Sequence, residues 1–442
     1  MIIPFAVFVS FAFLTNCMPP DAPVGPPATN SANTSITNVV NTNGNLANSN
    51  GSGTSTLNSV PITMPLIDSM FTDEDFANEV KRKIGLSDEE ITKLQDVARN
   101  EVLQMDGGPG ADAQRSTRGA VEKTKKKIEE IMGQEKATLF LDLVRSRWAA
   151  EGSDLTLSQP NAIPTDTRVV VNSPAYRMDV FKDGVLVKTY KIGIGYPEFP
   201  LPTGLRRASG IIFNPVWTPP DEPWVKGKFR PYQKVEAGSK LNPLGLVKIP
   251  IGLPSLIHGG KDRSRLGTFA SHGCVGLTNA MVQDLVIQLA RLSGTAITAQ
   301  EIKNFEKEKT ETKSVNLTEP VPVELRYETI VVEDGKVHIY RDVYERGTNT
   351  EEDLKRVLAA YDVSFDSLSE ADKTALRNGL AQMAVDAQGK TVPETGNSNA
   401  TNSSKAKEGK VTRNIKGKKE IVIELAALKG KGYPTPVALM EQ

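Results

Sequence analysis

Cysteine and histidine are scarce in this chain. Its 442 residues hold two cysteines and three histidines. Neither Cys17 nor Cys274 has a second cysteine nearby with which to pair. A zinc site would have to be assembled from very few ligands. An excess of one charge is missing as well: 53 acidic side chains balance 53 basic ones, so nothing in the net charge points to nucleic acid. The balance hides an asymmetry, because no Lys or Arg precedes Lys81, whereas residues 405–431 are rich in lysine. The first sixteen residues form a short apolar run, and no later segment is apolar enough to span a membrane. A chain of this length predicts two or three domains.

The reactive groups that are present concentrate in one stretch, His258 to Asn279, which reads HGGKDRSRLGTFASHGCVGLTN. Cys274 lies sixteen residues after His258, inside Ser271-His272-Gly273-Cys274-Val275-Gly276. A nucleophilic cysteine needs a base to take its proton and backbone donors to hold an oxyanion. Gly273 can adopt positive φ and lets the backbone approach a substrate closely. The amides of Gly273 and Cys274 are therefore candidate oxyanion donors. Two plainer readings compete. A buried structural cysteine beside two core histidines is disfavoured by the clustered glycines. A zinc site made of His258, His272 and Cys274 would have only three ligands.

The rest of the chain divides by composition. MIIPFAVFVSFAFLTN suits the apolar core of a secretion signal. Leu14-Thr15-Asn16-Cys17 resembles a lipoprotein cleavage box, with Asn16 where Gly, Ala or Ser is usual and without a basic lead segment. The expectation is lipidation at Cys17, and hence a chain on the periplasmic side of the cell envelope, tethered to the membrane only by that lipid. Residues 18–65 are Asn, Thr, Ser, Gly and Pro and read as a flexible spacer.

Residues 66–160 read as a helical module. Thr72 and Ser87 are caps, the latter in a capping box with Glu90, and Gly85 and Gly133 are breaks. Ile91, Leu94, Val97, Ala98 and Val102, then Ile128, Ile131, Leu139, Leu143 and Val144, supply the apolar faces. From Arg168 the pattern turns to strands, with hairpin signals at Asp183-Gly184 and Asp334-Gly335. Asn279 is expected to cap an amphipathic helix that runs through Arg291, and His338 to be structural. Residues 348–442 form a C-terminal extension: a helix within 351–386, a basic low-complexity tail over 397–419, and an unplaced apolar stretch from Ile421 to Leu428.

The paired motifs, H-G at His258-Gly259 and S-H-G-C at Ser271 to Cys274 followed by apolar Val275, resemble those of the L,D-transpeptidases of bacterial cell walls. VNSPAYRMDVFKDG and FPLPTG resemble the opening of that catalytic domain, and the resemblance covers about 165–347. It implies an α+β chain whose mostly β catalytic domain follows the helical module and precedes a helical or disordered extension. It also implies that Cys274 is the nucleophile and His258 the proton acceptor, oriented by the carbonyl of Gly259. His272 would shape the pocket, and Gly273 would lie at the oxyanion site. Substrate contacts would come from Ser271, from Arg263 and Arg265 in the intervening loop, and from Trp217 in the Pro- and Trp-rich stretch IFNPVWTPPDEPW. Many members carry Arg two residues after the cysteine, where this chain has Gly276, and Gly276→Arg is expected to be tolerated.

The implied reaction is acyl transfer from a tetrapeptide stem, with loss of the terminal D-alanine, to an amine on a second stem or on a wall-linked lipoprotein. It needs no cofactor and no metal, involves no nucleic acid, and serves wall crosslinking and cell shape. Water as the acceptor would instead make a carboxypeptidase or endopeptidase. A third possibility is a wall-binding protein that keeps the fold without the chemistry.

Overall fold

The computed structural model describes residues 62–71, 74–103, 117–150, 160–219, 229–230, 233–251, 255–392 and 412–440. The signal segment with Cys17, the spacer up to residue 61, the Thr72 cap and the tail over 397–411 lie outside the described residues.

Four helices come first: α1 (Met64–Met70), α2 (Glu74–Ile84), α3 (Asp88–Leu103) and α4 (Thr117–Ala150). The Ser87 capping box is formed, with Ser87 N donating to Glu90 Oε2 at 2.7 Å and Glu90 N donating to Ser87 Oγ at 3.1 Å. Gly85 closes α2 at φ 71°, a conformation glycine adopts without a Cβ penalty. Phe76, Val80, Leu94, Ala98, Ile128, Phe140 and Val144 are fully buried in the module's own core. Among the side chains whose burial is described, one expected core position fails. Leu139 is 50% exposed, and Phe140 is buried in its place. Gly133, at φ 77° and ψ 164°, kinks α4 and resets the helical phase that the periodicity assumed.

An eight-stranded mixed sheet follows, in the order β3-β2-β1-β10-β5-β6-β7-β9. Its strands are β1 (Arg168–Asn172), β2 (Arg177–Lys182), β3 (Val185–Lys191), β5 (Gly204–Phe213), β6 (Val247–Pro250), β7 (Leu256–His258), β9 (Val275–Gly276) and β10 (Lys313–Arg326). A short parallel pair, β4 (Ile194–Gly195) and β8 (Phe269–Ser271), stands beside it. Asp183 and Gly184 take positive φ and turn β2 into β3, as the Asp-Gly signal predicts. Val169 and Val171 of β1 are fully buried, as befits a strand with a neighbour on each side.

β10 is the central strand that local pattern did not reveal. It pairs in parallel with β1 and antiparallel with β5, and its register slips between Asn316 and Val321, around Pro320. Helix α5 (Asn279–Leu292) lays Met281, Val282, Leu285, Val286 and Leu289 on this sheet, and α6 (Ala299–Lys307) follows.

The C-terminal part is more than helix and tail. β11 (Ile330–Glu333), β12 (Lys336–Tyr340) and β13 (Glu420–Glu424) form a second antiparallel sheet, covered by α7 (Glu351–Ala359) and α8 (Glu370–Met383) around one apolar core. The stretch from Ile421 is thus an edge strand followed by a 3₁₀ turn over Ala426–Leu428. His338 lies on β12, and its Nδ1 meets the Glu420 carboxylate of β13 at 2.5 Å. The last described residues return to the first sheet, where Thr189 N donates to Val437 O at 2.9 Å and Met440 N donates to Thr189 O at 3.1 Å. Residues 412–419, expected within a solvated tail, are partly packed because Thr412 is buried against the Glu198 carboxylate. Among the described residues no helix is long and apolar enough to cross a membrane.

Candidate active site

Two adjoining parallel strands bring the sequence motifs together. Ile257 is in register with Val275 and His258 with Gly276, so His258 ends β7 as Cys274 enters β9. Leu277 N donates to His258 O at 2.9 Å and Lys261 N donates to Leu277 O at 3.0 Å, which stitches the two motifs past the end of the ladder.

The His258 ring is oriented from its own chain. Nδ1 lies 2.7 Å from Gly259 O, and because a carbonyl can only accept, Nδ1 carries the proton and Nε2 is left as the base. Burial, and next the positive charge of Lys261, push the imidazole down to about 3. Hydrogen bonding to the Gly259 and Leu244 carbonyls opposes this. The residue is therefore a neutral base at ordinary pH. Gly259 has no room for a side chain, since a Cβ would stand 2.6 Å from Asn279 Oδ1 and 2.9 Å from Val282 Cγ1.

The S-H-G-C turn is built around Ser271. Its Oγ accepts from Cys274 N at 2.9 Å and donates to Cys274 O. Ser271 O accepts from Tyr196 N at 2.9 Å, and Ser255 Oγ donates to Gly273 O at 2.9 Å. Gly273 sits at φ 94°, a conformation that favours glycine. The Cys274 amide is thus engaged within the turn, whereas the Gly273 amide has no acceptor among the described residues. Of the two expected oxyanion donors, Gly273 N–H is the one left to serve. Burial pushes the Cys274 thiol up, and hydrogen bonding from the Leu256 amide and the Lys261 charge pull the other way.

The remaining expected residues fall as follows. His272 is wedged edge-on between Tyr196 and Phe199, with ring centroids at 5.0 and 4.8 Å, and burial drives it well below the ordinary histidine range. Arg265 Nη2 donates to Tyr196 OH at 3.3 Å and to Phe269 O, so this guanidinium braces the wall that holds His272. Arg263 is exposed on the 3₁₀ turn between the motifs. Trp217 is only 9% exposed and packs edge-on against Phe229, in a small apolar cluster with Leu244 and Leu256. Among the described residues no group of three or more His, Cys, Asp or Glu side chains is placed to hold a metal.

Several contributors escaped the sequence reading. The cap of α5 is Thr278, whose side chain accepts from Met281 N. Asn279 is instead the first helical residue, and its Oδ1 accepts from Gly260 N and Leu246 N. The wall loop after β4 is gripped from both ends of the chain. Thr63 Oγ1 donates to Glu198 O at 3.2 Å, Thr412 N donates to Glu198 Oε1 at 3.1 Å, and the charge of Arg413 is felt at His272. Only the H-G-G-K order itself could have drawn attention to Lys261.

Comparison with known proteins agrees with the motif. Residues 166–314 match the family model of the YkuD L,D-transpeptidase catalytic domain. No curated protein matches it. Among solved structures, the catalytic domain of an Enterococcus faecium L,D-transpeptidase is 16% identical, with a TM-score of 0.24, over 37% of this chain and 100% of that one. An L,D-transpeptidase from Mycobacterium smegmatis is 14% identical, with a TM-score of 0.23, over 36% of this chain and 58% of that one. One from Mycobacterium tuberculosis is 13% identical, with a TM-score of 0.21, over 36% and 57%.

Proposed function

We propose that the chain is a peptidoglycan L,D-transpeptidase working through a Cys274 thioester. The observation that supports this reading is the register of β7 against β9, which pairs His258, its Nδ1 bonded to Gly259 O, with Gly276, two residues after the partly exposed Cys274. His258 Nε2 takes the thiol proton as sulfur attacks the carbonyl at the L-centre of the diamino acid in a tetrapeptide stem. The oxyanion meets the Gly273 amide. The tetrahedral intermediate collapses, the bond to the terminal D-alanine breaks, and that amine leaves with the proton held by His258. An amine of a second stem, or of a wall-linked lipoprotein, then attacks the thioester, gives its proton to His258 and restores the thiol.

The lipid anchor at Cys17 and a periplasmic location remain part of this proposal. Incubating the purified protein with a disaccharide tetrapeptide and analysing products by mass spectrometry tests it. Loss of alanine with a crosslinked dimer is the expected result. A trimmed monomer alone would make the protein a carboxypeptidase, and no turnover, together with no labelling of Cys274 by a carbapenem, would leave a wall-binding protein.

A further inference from the structure

Gly276 and Lys261 form a pairing that the catalytic scheme does not use. A Cβ built on Gly276 would lie 2.9 Å from Lys261 Cγ, 3.2 Å from Cε and 3.5 Å from Cδ. The aliphatic stem of the lysine therefore occupies the space a side chain at 276 would fill. Its backbone is fixed there by the bond from Lys261 N to Leu277 O, after a turn at Gly260 with φ 76°. The stem runs beside the strand whose first residue follows Cys274 directly. Among the described residues no carboxylate forms an ion pair with this ammonium; Asp262 acts on it only at a distance. An ammonium without a carboxylate partner, laid against the strand that follows the nucleophile, is not explained by packing alone.

We propose that Lys261 is the resident cation of this site, carried across the bare backbone of Gly276 to favour the thiolate of Cys274. The proposal rests on the reading of Cys274 as a nucleophile and names a residue that sets its reactivity. The titratable and charged groups around the ammonium come from every element packed there: Cys274 just before β9, His258 at the end of β7, His272 in the S-H-G-C turn, and Asp262 and Arg265 from its own loop.

Each effect has a consistent sign. The lysine charge opposes the burial that pushes the thiol up, and it discourages charge on either imidazole. Burial in turn pulls the ammonium down to about 8, with Arg265 adding to the effect and Cys274 and Asp262 opposing it. Lys261 thus acts through Cys274 as a positioning charge. Proton transfer still runs from sulfur to His258. Gly276 acquires a definite role, because any side chain there must displace the lysine stem.

Alkylation of Cys274 by iodoacetamide, followed by mass spectrometry across pH 6 to 10, tests the idea in the full-length protein without needing a wall substrate. Lys261→Met, which keeps the stem and loses the charge, should slow alkylation at pH 7.5 about tenfold, and the difference from wild type should close above about pH 8, where the lysine itself gives up its proton. Lys261→Arg should restore most of the rate. Gly276→Ala should change the rate at pH 7.5 in the same direction as Lys261→Met. An unchanged rate at pH 7.5 in Lys261→Met overturns the proposal, and so does a rate lowered equally at every pH, which would mark a packing role. Failure of the transpeptidase reading would show separately, as wild-type protein that alkylates normally yet takes no acyl group from a tetrapeptide or a carbapenem.

Discussion

Asn279 Oδ1 accepts the amide of Gly260 at 2.9 Å, joining the first turn of α5 to the loop that follows His258. The same oxygen accepts from Leu246 N at 3.0 Å, so one carbonyl fixes β6, the H-G-G loop and α5 relative to one another.

Asn279→Ala leaves both amides without this acceptor. The expected cost is roughly 1–3 kcal/mol of stability, with slower acylation because Gly259 and His258 are released. Asn279→Asp keeps an acceptor oxygen and should be milder in both. Urea unfolding and single-turnover acylation check this, and an alanine variant as stable and as fast as wild type would remove the role.

Cys274→Ser should lower acylation to background, a loss on the order of 10⁴-fold or more, because a serine hydroxyl is a far weaker nucleophile at neutral pH. His258→Ala should cost about 10²–10⁴-fold. His272→Ala should disturb binding more than proton transfer, since its ring is walled in by Tyr196 and Phe199. Intact-mass kinetics with a carbapenem separate the three.

The pH dependence follows from His258. Its folded-state value, about 3, lies below that of a free histidine, so the unfolded chain binds the extra proton first. The contribution to stability is complete above about pH 6.5 and is lost as pH falls toward 3. His272, also displaced downward, adds to the same trend. Melting temperature should therefore drop as pH is lowered through this window, and His258→Gln should flatten the drop. Because the base stays neutral, acylation should show no acid limb near pH 6.5. A limb there would place the imidazole in an ordinary environment.

The helical module has its own core and caps, so a chain beginning near Thr165 should still fold. It would lack the Thr63 hydrogen bond to Glu198 O, one residue from the Phe199 that holds His272. Acylation slower than in the full chain is expected, and Thr63→Ala should reproduce part of the loss at about 0.5–1.5 kcal/mol. Equal rates in all three proteins would show that the module is separable from the chemistry.

Arg265→Ala should slow acylation by loosening Tyr196 and the Phe269 carbonyl, whereas Arg263→Ala should be near neutral on its exposed turn. Equal effects would return both residues to the same role. Gly276→Arg, tolerable by sequence alone, is now expected to impair the protein, because its Cβ meets the stem of Lys261.

The local signals in the sequence determined a good part of this protein. Ser87 with Glu90, the two Asp-Gly turns and the spacing of Met281, Val282, Leu285 and Leu289 each act within a few residues, where capping, turn chemistry and periodicity decide the outcome. The H-G and S-H-G-C motifs identified the candidate nucleophile and base because their roles depend on residue types and nearby glycines. What only the tertiary structure decided rests on pairings across long stretches of chain. β10 enters beside β1 through contacts such as Val171 with Leu325, and β13 completes a sheet begun at Ile330. Burial, which no local pattern fixes, makes His258 neutral and loads Leu139 outward past the Gly133 kink. Lys261 gained its place over Gly276 in the same way: fifteen residues separate them in sequence, and only the parallel ladder of β7 and β9 sets one against the other.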